Sequence, residues 1–147
     1  MLKIDMIRKI NKNDIEKVMH IWLSSNLKAH YFINPKYWTD NFDYVRSQIE
    51  KSHVYVYDDG EIKGFIGLNK EYIEGIFVEE AFKRQGIGKS LLNYAKNIKT
   101  SLTLSVYEKN APAIEFYKAM GFCTAKNNLD TNTNENEIIM HWKSKKL

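Results

Sequence analysis

The spacing of apolar residues along this chain changes period several times, and each change marks an element. Residues 3–9 (KIDMIRK) mix apolar and charged residues at close to a two-residue period and predict a first strand. From Ile15 the period lengthens. Ile15, Val18, Met19, Trp22 and Leu23 form the i, i+3, i+4, i+7, i+8 stripe of an amphipathic helix, which Asn13 or Asp14 can cap and which fades near His30. Trp38, Phe42, Val45 and Ile49 lie on one face of a second helix, expected from about Pro35 toward Glu50. VYVYDDGEIKGFIGL then places two β-rich runs around Asp59-Gly60, a strong hairpin signal. A further strand is expected over residues 71–79, ending in Ile76-Phe77-Val78.

The stretch KRQGIGKS (83–90) opens a helix carrying Ile87, Leu91, Leu92, Ala95 and Ile98. SLTLSVY (101–107) alternates as a buried strand. Asn110 can cap the next helix, with Pro112 in its first turn and Gly121 where a left-handed C-terminal cap belongs. Strands near 121–127 and 136–143 follow, and the polar KNNLDTNTNENE between them is expected to be a mobile hairpin loop. The order β-α-α-β-β-β-α-β-α-β-β mixes antiparallel hairpins with helical crossovers, which indicates an α+β fold rather than a doubly wound one. No internal repeat or linker divides the chain, so a single domain over residues 1–147 is expected.

Composition narrows the picture. A chain of 147 residues with 44% hydrophobic content is long enough for a substantial core. No apolar run approaches the ~20 residues of a membrane span, and the N-terminus lacks the apolar segment of a signal peptide. The single cysteine, Cys123, excludes an internal disulfide and supplies no metal cluster; it is expected to be a small core filler in its strand. Together these point to a soluble cytoplasmic protein with no metal and no membrane partner. The net charge of +4 suits an anionic small ligand, and no zinc finger, basic-region helix or RNA-binding aromatic signature points to nucleic acid.

The glycines of KRQGIGKS suggest a backbone shaped around phosphate. An ATP-binding P-loop needs a glycine where Lys83 stands, and a dinucleotide fingerprint needs one where Leu91 stands, so both patterns fail.

IFVEEAFKRQGIGKSLL (76–92) and NAPAIEFYKAMGF (110–122), with a strand between them, resemble two motifs of the GNAT superfamily of acetyl-CoA-dependent N-acetyltransferases. The order of elements is similar along essentially the whole chain. Trp22, the segment AHYFI and Tyr37-Trp38 are similar to a subgroup of small bacterial GNAT proteins, some regarded as protein-lysine or peptide acetyltransferases. The chain departs from the family pattern at Lys83, where Arg or Gln is favoured, and at Glu80, where proline is common. Lysine keeps the cation but loses the planar fork.

The resemblance implies a mixed, mostly antiparallel sheet whose central strands splay to admit the thioester. It implies acetyl-CoA as co-substrate and a primary amine as acceptor, either a small molecule or a protein, in a monomer or homodimer. Lys83, Arg84, Gln85, Gly86, Ile87, Gly88, Lys89 and Ser90 would cradle the pyrophosphate mainly through backbone N–H groups, since a helix N-terminus presents unpaired donors and partial positive charge. The side chains of Arg84 and Lys89 either contact phosphate or are solvated. Ile76, Phe77 and Val78 would pair with the pantetheine amides as an added strand does. Asn110 either contacts that arm or only caps its helix. Tyr117 matches the family's proton donor to the departing thiolate, though a tyrosine on an apolar helix face also serves as core.

A lysine ammonium must lose its proton before it attacks. Glu74 is the family-like acceptor of that proton, with Glu71 and His30 as further candidates. His30, Tyr31, Phe32, Tyr37 and Trp38 would line the acceptor side or pack the helices. The alternative from a different class is a GNAT module that binds acyl-CoA as a sensor or partner without turnover.

Overall fold

In the computed structural model, which describes residues 3–145, seven strands form one sheet. They are β1 (Ile7–Lys9), β2 (His53–Asp58), β3 (Ile62–Asn69), β4 (Tyr72–Val78), β5 (Ser101–Tyr107), β6 (Cys123–Asp130) and β7 (Glu135–Lys143). Their order across the sheet is β1-β2-β3-β4-β5-β7-β6. Every pairing is antiparallel except β4 with β5, which is parallel. The helices are α1 (Ile15–Ala29), α2 (Pro35–Asp40), α3 (Phe42–Lys51), α4 (Ile87–Ile98) and α5 (Ala111–Ala119).

The two faces of the sheet bury separate cores. Helices α1–α3 bring Val18, Met19, Trp22, Trp38 and Ile49 against Val54, Val56 and Phe65. On the other face α4 and α5 bring Leu91, Leu92, Ala95, Ile114 and Tyr117 against Ile66, Ile73, Leu104 and Met140. These contacts use the apolar stripes read from the sequence, and burying one such side chain contributes ~1.5–3 kcal/mol. No helix among the described residues is long and apolar enough to cross a membrane.

Five local expectations need correction. Of residues 3–9 only Ile7–Lys9 is strand; Lys3–Met6 form a 3-10 turn whose Ile4 and Met6 pack into the α4-side core. Neither Asn13 nor Asp14 caps α1 through its side chain. Asn11 caps a short 3-10 turn before it, while the Asp14 carboxylate accepts from Asn11 N–H and from the Arg8 guanidinium. The second helix is two, broken at Asn41, whose side-chain amide donates to the Tyr37 carbonyl at 2.7 Å and so competes with the helix backbone. The polar stretch 126–137 is mostly strand: β6 and β7 pair from Cys123↔His141 to Asp130↔Glu135, leaving a tight turn at residues 131–134. Cys123 is exposed, because β6 is an edge strand whose side chains are largely solvated. Gly121, by contrast, takes φ +91 beyond α5 as expected.

Two features of β4 shape the site. Its register against β3 goes from Leu68↔Ile73 to Gly67↔Gly75, so Glu74 has no partner and forms a β-bulge. Beside β5 only Tyr72↔Thr103 and Ile73↔Leu104 pair, and beyond them the two strands separate.

Candidate active site

Two cavities meet where β4 and β5 separate. A slot of about 470 Å³ lies between the end of β4, the loop leading into α4 and the start of α5. A cleft of about 430 Å³ lies on the α1–α3 side, walled by aromatic residues. Asn26, His30, Ile76, Phe77, Asn110, Ala113 and Tyr117 border both.

The slot owes its shape to backbone. After β4 a 3-10 turn (Glu80–Phe82) leads to Lys83, and then Arg84 and Gly86 adopt φ +66 and +81 before α4 begins at Ile87. Glycine suits the second of these because it has no Cβ to oppose a left-handed backbone. Lys83, Arg84, Gly86, Ile87, Gly88 and Lys89 line the slot, so the N-terminus of α4 with its unpaired N–H groups borders it. Gln85 and Ser90 are not in the lining, and the Ser90 hydroxyl donates to the Gly86 carbonyl at 2.9 Å. Lys83 pairs with Glu80, which also takes Lys28 from α1 at 2.6 Å, so this cation is engaged within the protein. Ile76, Phe77 and Val78 form the opposite wall on the strand edge that β5 leaves unpaired. A narrow, largely apolar slot with a free strand edge and a helix N-terminus fits a chain of amides ending in a pyrophosphate.

The candidate side chains converge unequally. Tyr117 is 8% exposed, packs against Phe116 and Phe122, and borders both cavities. Burial pushes its phenol well above the ordinary value, so the oxygen keeps its proton. Glu74, lifted out of register by the bulge, is exposed and lines the aromatic cleft. Glu71 sits at the paired end of β4, where it accepts from the Ser101 hydroxyl, and borders neither cavity.

His30, just past α1, is held from both ring nitrogens: Nδ1 lies 2.9 Å from Asn26 Oδ1 and Nε2 lies 3.3 Å from Asn110 Nδ2. Burial pushes its imidazole down to about 4. Asn110 also caps α5, accepting from the Ala113 N–H at 3.4 Å.

The aromatic segment divides. Tyr37 and Trp38 line the cleft, with Trp38 stacked on His30 and edge-on to Trp22 at 5.8 Å. Phe32 packs edge-on against His30 and Tyr107, whereas Tyr31 is 79% exposed and borders neither cavity.

Sequence reasoning missed the far wall of the cleft. Tyr107, at the end of β5, donates its hydroxyl to Asp130 at 2.7 Å, which ties the β6–β7 turn to the cleft. Tyr37 has its phenol raised by burial and by the negative charges of Asp130 and Glu137, which marks this side as electronegative. Asn26 was missed as well, although its place in the last turn of α1, four residues before His30, was a local signal.

A family profile described as Acetyltransferase (GNAT) family matches residues 15–122. The chain is 35% identical over 120 residues to the peptidyl-lysine N-acetyltransferase YiaC of Escherichia coli strain K12, covering 80% of this chain and 82% of the relative. Among solved structures, apo YjaB from Escherichia coli superposes with a TM-score of 0.83 at 25% identity, covering 94% of this chain and 97% of that one. YncA from Salmonella typhimurium, solved with its cofactor acetyl-CoA, superposes with a TM-score of 0.72 at 17% identity, covering 96% and 94%.

Proposed function

Since this chain belongs to the GNAT family of acetyltransferases and is an acetyl-CoA-dependent N-acetyltransferase, we propose that its acceptor is a peptidyl lysine and that Glu74 and Tyr117 carry the proton transfers. The observation that carries this reading is the junction of the two cavities: a backbone-lined slot opens onto an electronegative aromatic cleft, with Glu74 in the cleft and Tyr117 bordering both.

In this reading the α4 N-terminus and the backbone of Lys83, Arg84 and Gly86 to Lys89 bind the pyrophosphate, and the free edge of Ile76, Phe77 and Val78 aligns the pantetheine amides. Acetyl-CoA supplies the thioester. Glu74 takes a proton from the lysine ammonium, directly or through a water, and the free amine attacks the carbonyl carbon. As the carbon–sulfur bond breaks, Tyr117 gives its proton to the departing thiolate, and the proton that the nitrogen sheds on forming the amide returns through water to the Tyr117 oxygen. The high pKa that burial imposes on Tyr117 keeps that proton in place until negative charge develops beside it.

A lysine acceptor is supported by the name of the relative YiaC and by the carboxylates of Glu74, Asp130 and Glu137 around the cleft, which favour a cationic approach. The test is release of free CoA from acetyl-CoA with a panel of lysine peptides, N-terminal amines, polyamines and amino acids. Lysine peptides should turn over fastest, and a clear preference for a small amine would overturn the acceptor assignment. Glu74→Gln should lower kcat/KM at neutral pH by about 10²-fold, in the range of a lost general base. The loss should shrink at alkaline pH as the amine becomes a free base; an unchanged rate at neutral pH would remove Glu74 from the mechanism.

A further inference from the structure

We propose that His30 is a positioning residue: it fixes the side-chain amide of Asn110 at the start of α5, and with it the partition between slot and cleft. The hydrogen bonds determine one another. The Asn26 side-chain N–H group donates to the Trp22 carbonyl at 2.9 Å, which leaves Asn26 Oδ1 facing His30 Nδ1 at 2.9 Å. An amide oxygen only accepts, so Nδ1 carries the ring proton and Nε2 carries the lone pair. That lone pair faces the Asn110 amide nitrogen at 3.3 Å, and Asn110 Oδ1 takes the Ala113 N–H. Reversing either asparagine would set like groups against each other. The chain of donors therefore runs one way, from Asn110 through His30 and Asn26 to the Trp22 carbonyl.

The surroundings hold this state. Trp38 stacks on the ring at 5.5 Å, and Phe32 and Tyr107 meet it edge-on at 5.8 and 5.1 Å. The charged groups around it are turned to other partners: Lys109 lies over the Phe32 ring and pairs with Glu135, and Asp130 accepts the Tyr107 hydroxyl. Among the described residues no carboxylate bonds to the imidazole, so none of them stabilises a proton on Nε2, in line with the low value that burial gives this ring. A lone pair already engaged is not offered to an incoming amine, which leaves proton removal to Glu74.

The consequence for the cofactor rests on the proposed function, which puts the pantetheine arm in the slot that Asn110 borders. The network itself can be tested without ligand. In nitrogen-15 spectra of the apo protein His30 should show the Nδ1–H tautomer and stay neutral from pH 8 to pH 5. Asn110→Asp replaces the donor with a carboxylate and should move the His30 titration upward by more than one pH unit. An Nε2–H tautomer, or a titration unmoved by Asn110→Asp, would overturn the proposal.

The second arm separates the two nitrogens. His30→Gln retains an acceptor near the place of Nε2, whereas His30→Asn reproduces only the Nδ1 side. Dissociation constants for acetyl-CoA from calorimetry should rise about tenfold in His30→Asn and stay within about threefold of the parent in His30→Gln, as expected for one hydrogen bond lost or kept. Turnover at saturating acetyl-CoA should survive in His30→Gln, and its collapse there would make His30 the base and end the positioning role. If the unsubstituted protein fails to bind acetyl-CoA, the reading of the slot falls, while the tautomer still decides the role of His30.

Discussion

The two sides of the β4–β5 gap are built by different means. On the slot side the features that matter are backbone: two left-handed residues, a helix N-terminus and an unpaired strand edge, all within residues 76–90. On the cleft side they are side chains brought from the end of α1, from α2, β4 and β5, and from the end of β6 through its bond to Tyr107, among them His30, Tyr37, Glu74, Tyr107 and Asp130. A site for an unvarying cofactor can be encoded by local backbone geometry. A surface assembled from distant side chains, which the proposed function gives to the acceptor, can change without disturbing that geometry.

Substitutions should separate the two sides, and the largest effect falls where they meet. Tyr117→Phe should reduce kcat by about 10²-fold or more, the range of a lost general acid, with acetyl-CoA affinity within about twofold of the parent. Rapid-quench turnover and calorimetry on the same preparation check both halves, and unaltered turnover would exclude Tyr117 as the acid. Next comes Gly86→Val, which forces a β-branched residue to φ +81. Acetyl-CoA affinity should fall at least tenfold, about 1.4 kcal/mol, while KM for the peptide changes little. Tight binding by this variant would dismiss the cradle.

On the cleft side, burial holds His30 near 4 against an ordinary 6.5, so between those values the unfolded chain binds more protons than the folded one. Its contribution to stability is complete above the upper value and is lost as pH falls toward the lower one. Urea unfolding should show a loss of roughly 2 kcal/mol between pH 7 and pH 5 that is missing from His30→Gln. Equal losses in both proteins would show that His30 is not the source. The smallest effect belongs to Tyr107→Phe, which unties Asp130 at a cost of about 1 kcal/mol. It should raise KM for the peptide and leave acetyl-CoA affinity unchanged; the reverse pattern would place Tyr107 on the slot side.

The same contrast explains what could be read from the sequence. Gly86 and Asn110 announce themselves because each satisfies a local rule of turn or cap chemistry, and the apolar stripes of α1 and α4 do so by period. The hydrogen bond from Tyr107 to Asp130 spans 23 residues and that from Asn110 to His30 spans 80, and nothing near either partner reports such contacts. The polar run 126–137 reads as loop because its composition is that of turns, yet pairing with β7 makes most of it strand. Edge position likewise decides that Cys123 is solvated. Glu74 was legible as a carboxylate on a strand, but its place in the cleft follows from a register shift that only the paired strand defines.

The two rungs between β4 and β5 have a mechanical consequence. Strands β1 to β4 and strands β5, β7 and β6 are joined through backbone only at Tyr72↔Thr103 and Ile73↔Leu104, so the sheet has a seam near its middle. In the proposed function a bound pantetheine arm would lie along that seam as a surrogate strand, adding crosslinks that the polypeptide omits. Saturation with acetyl-CoA should therefore slow amide hydrogen exchange at Ile76 and Val78 more than at the β2–β3 hairpin, making the substrate a transient structural member of the protein it occupies.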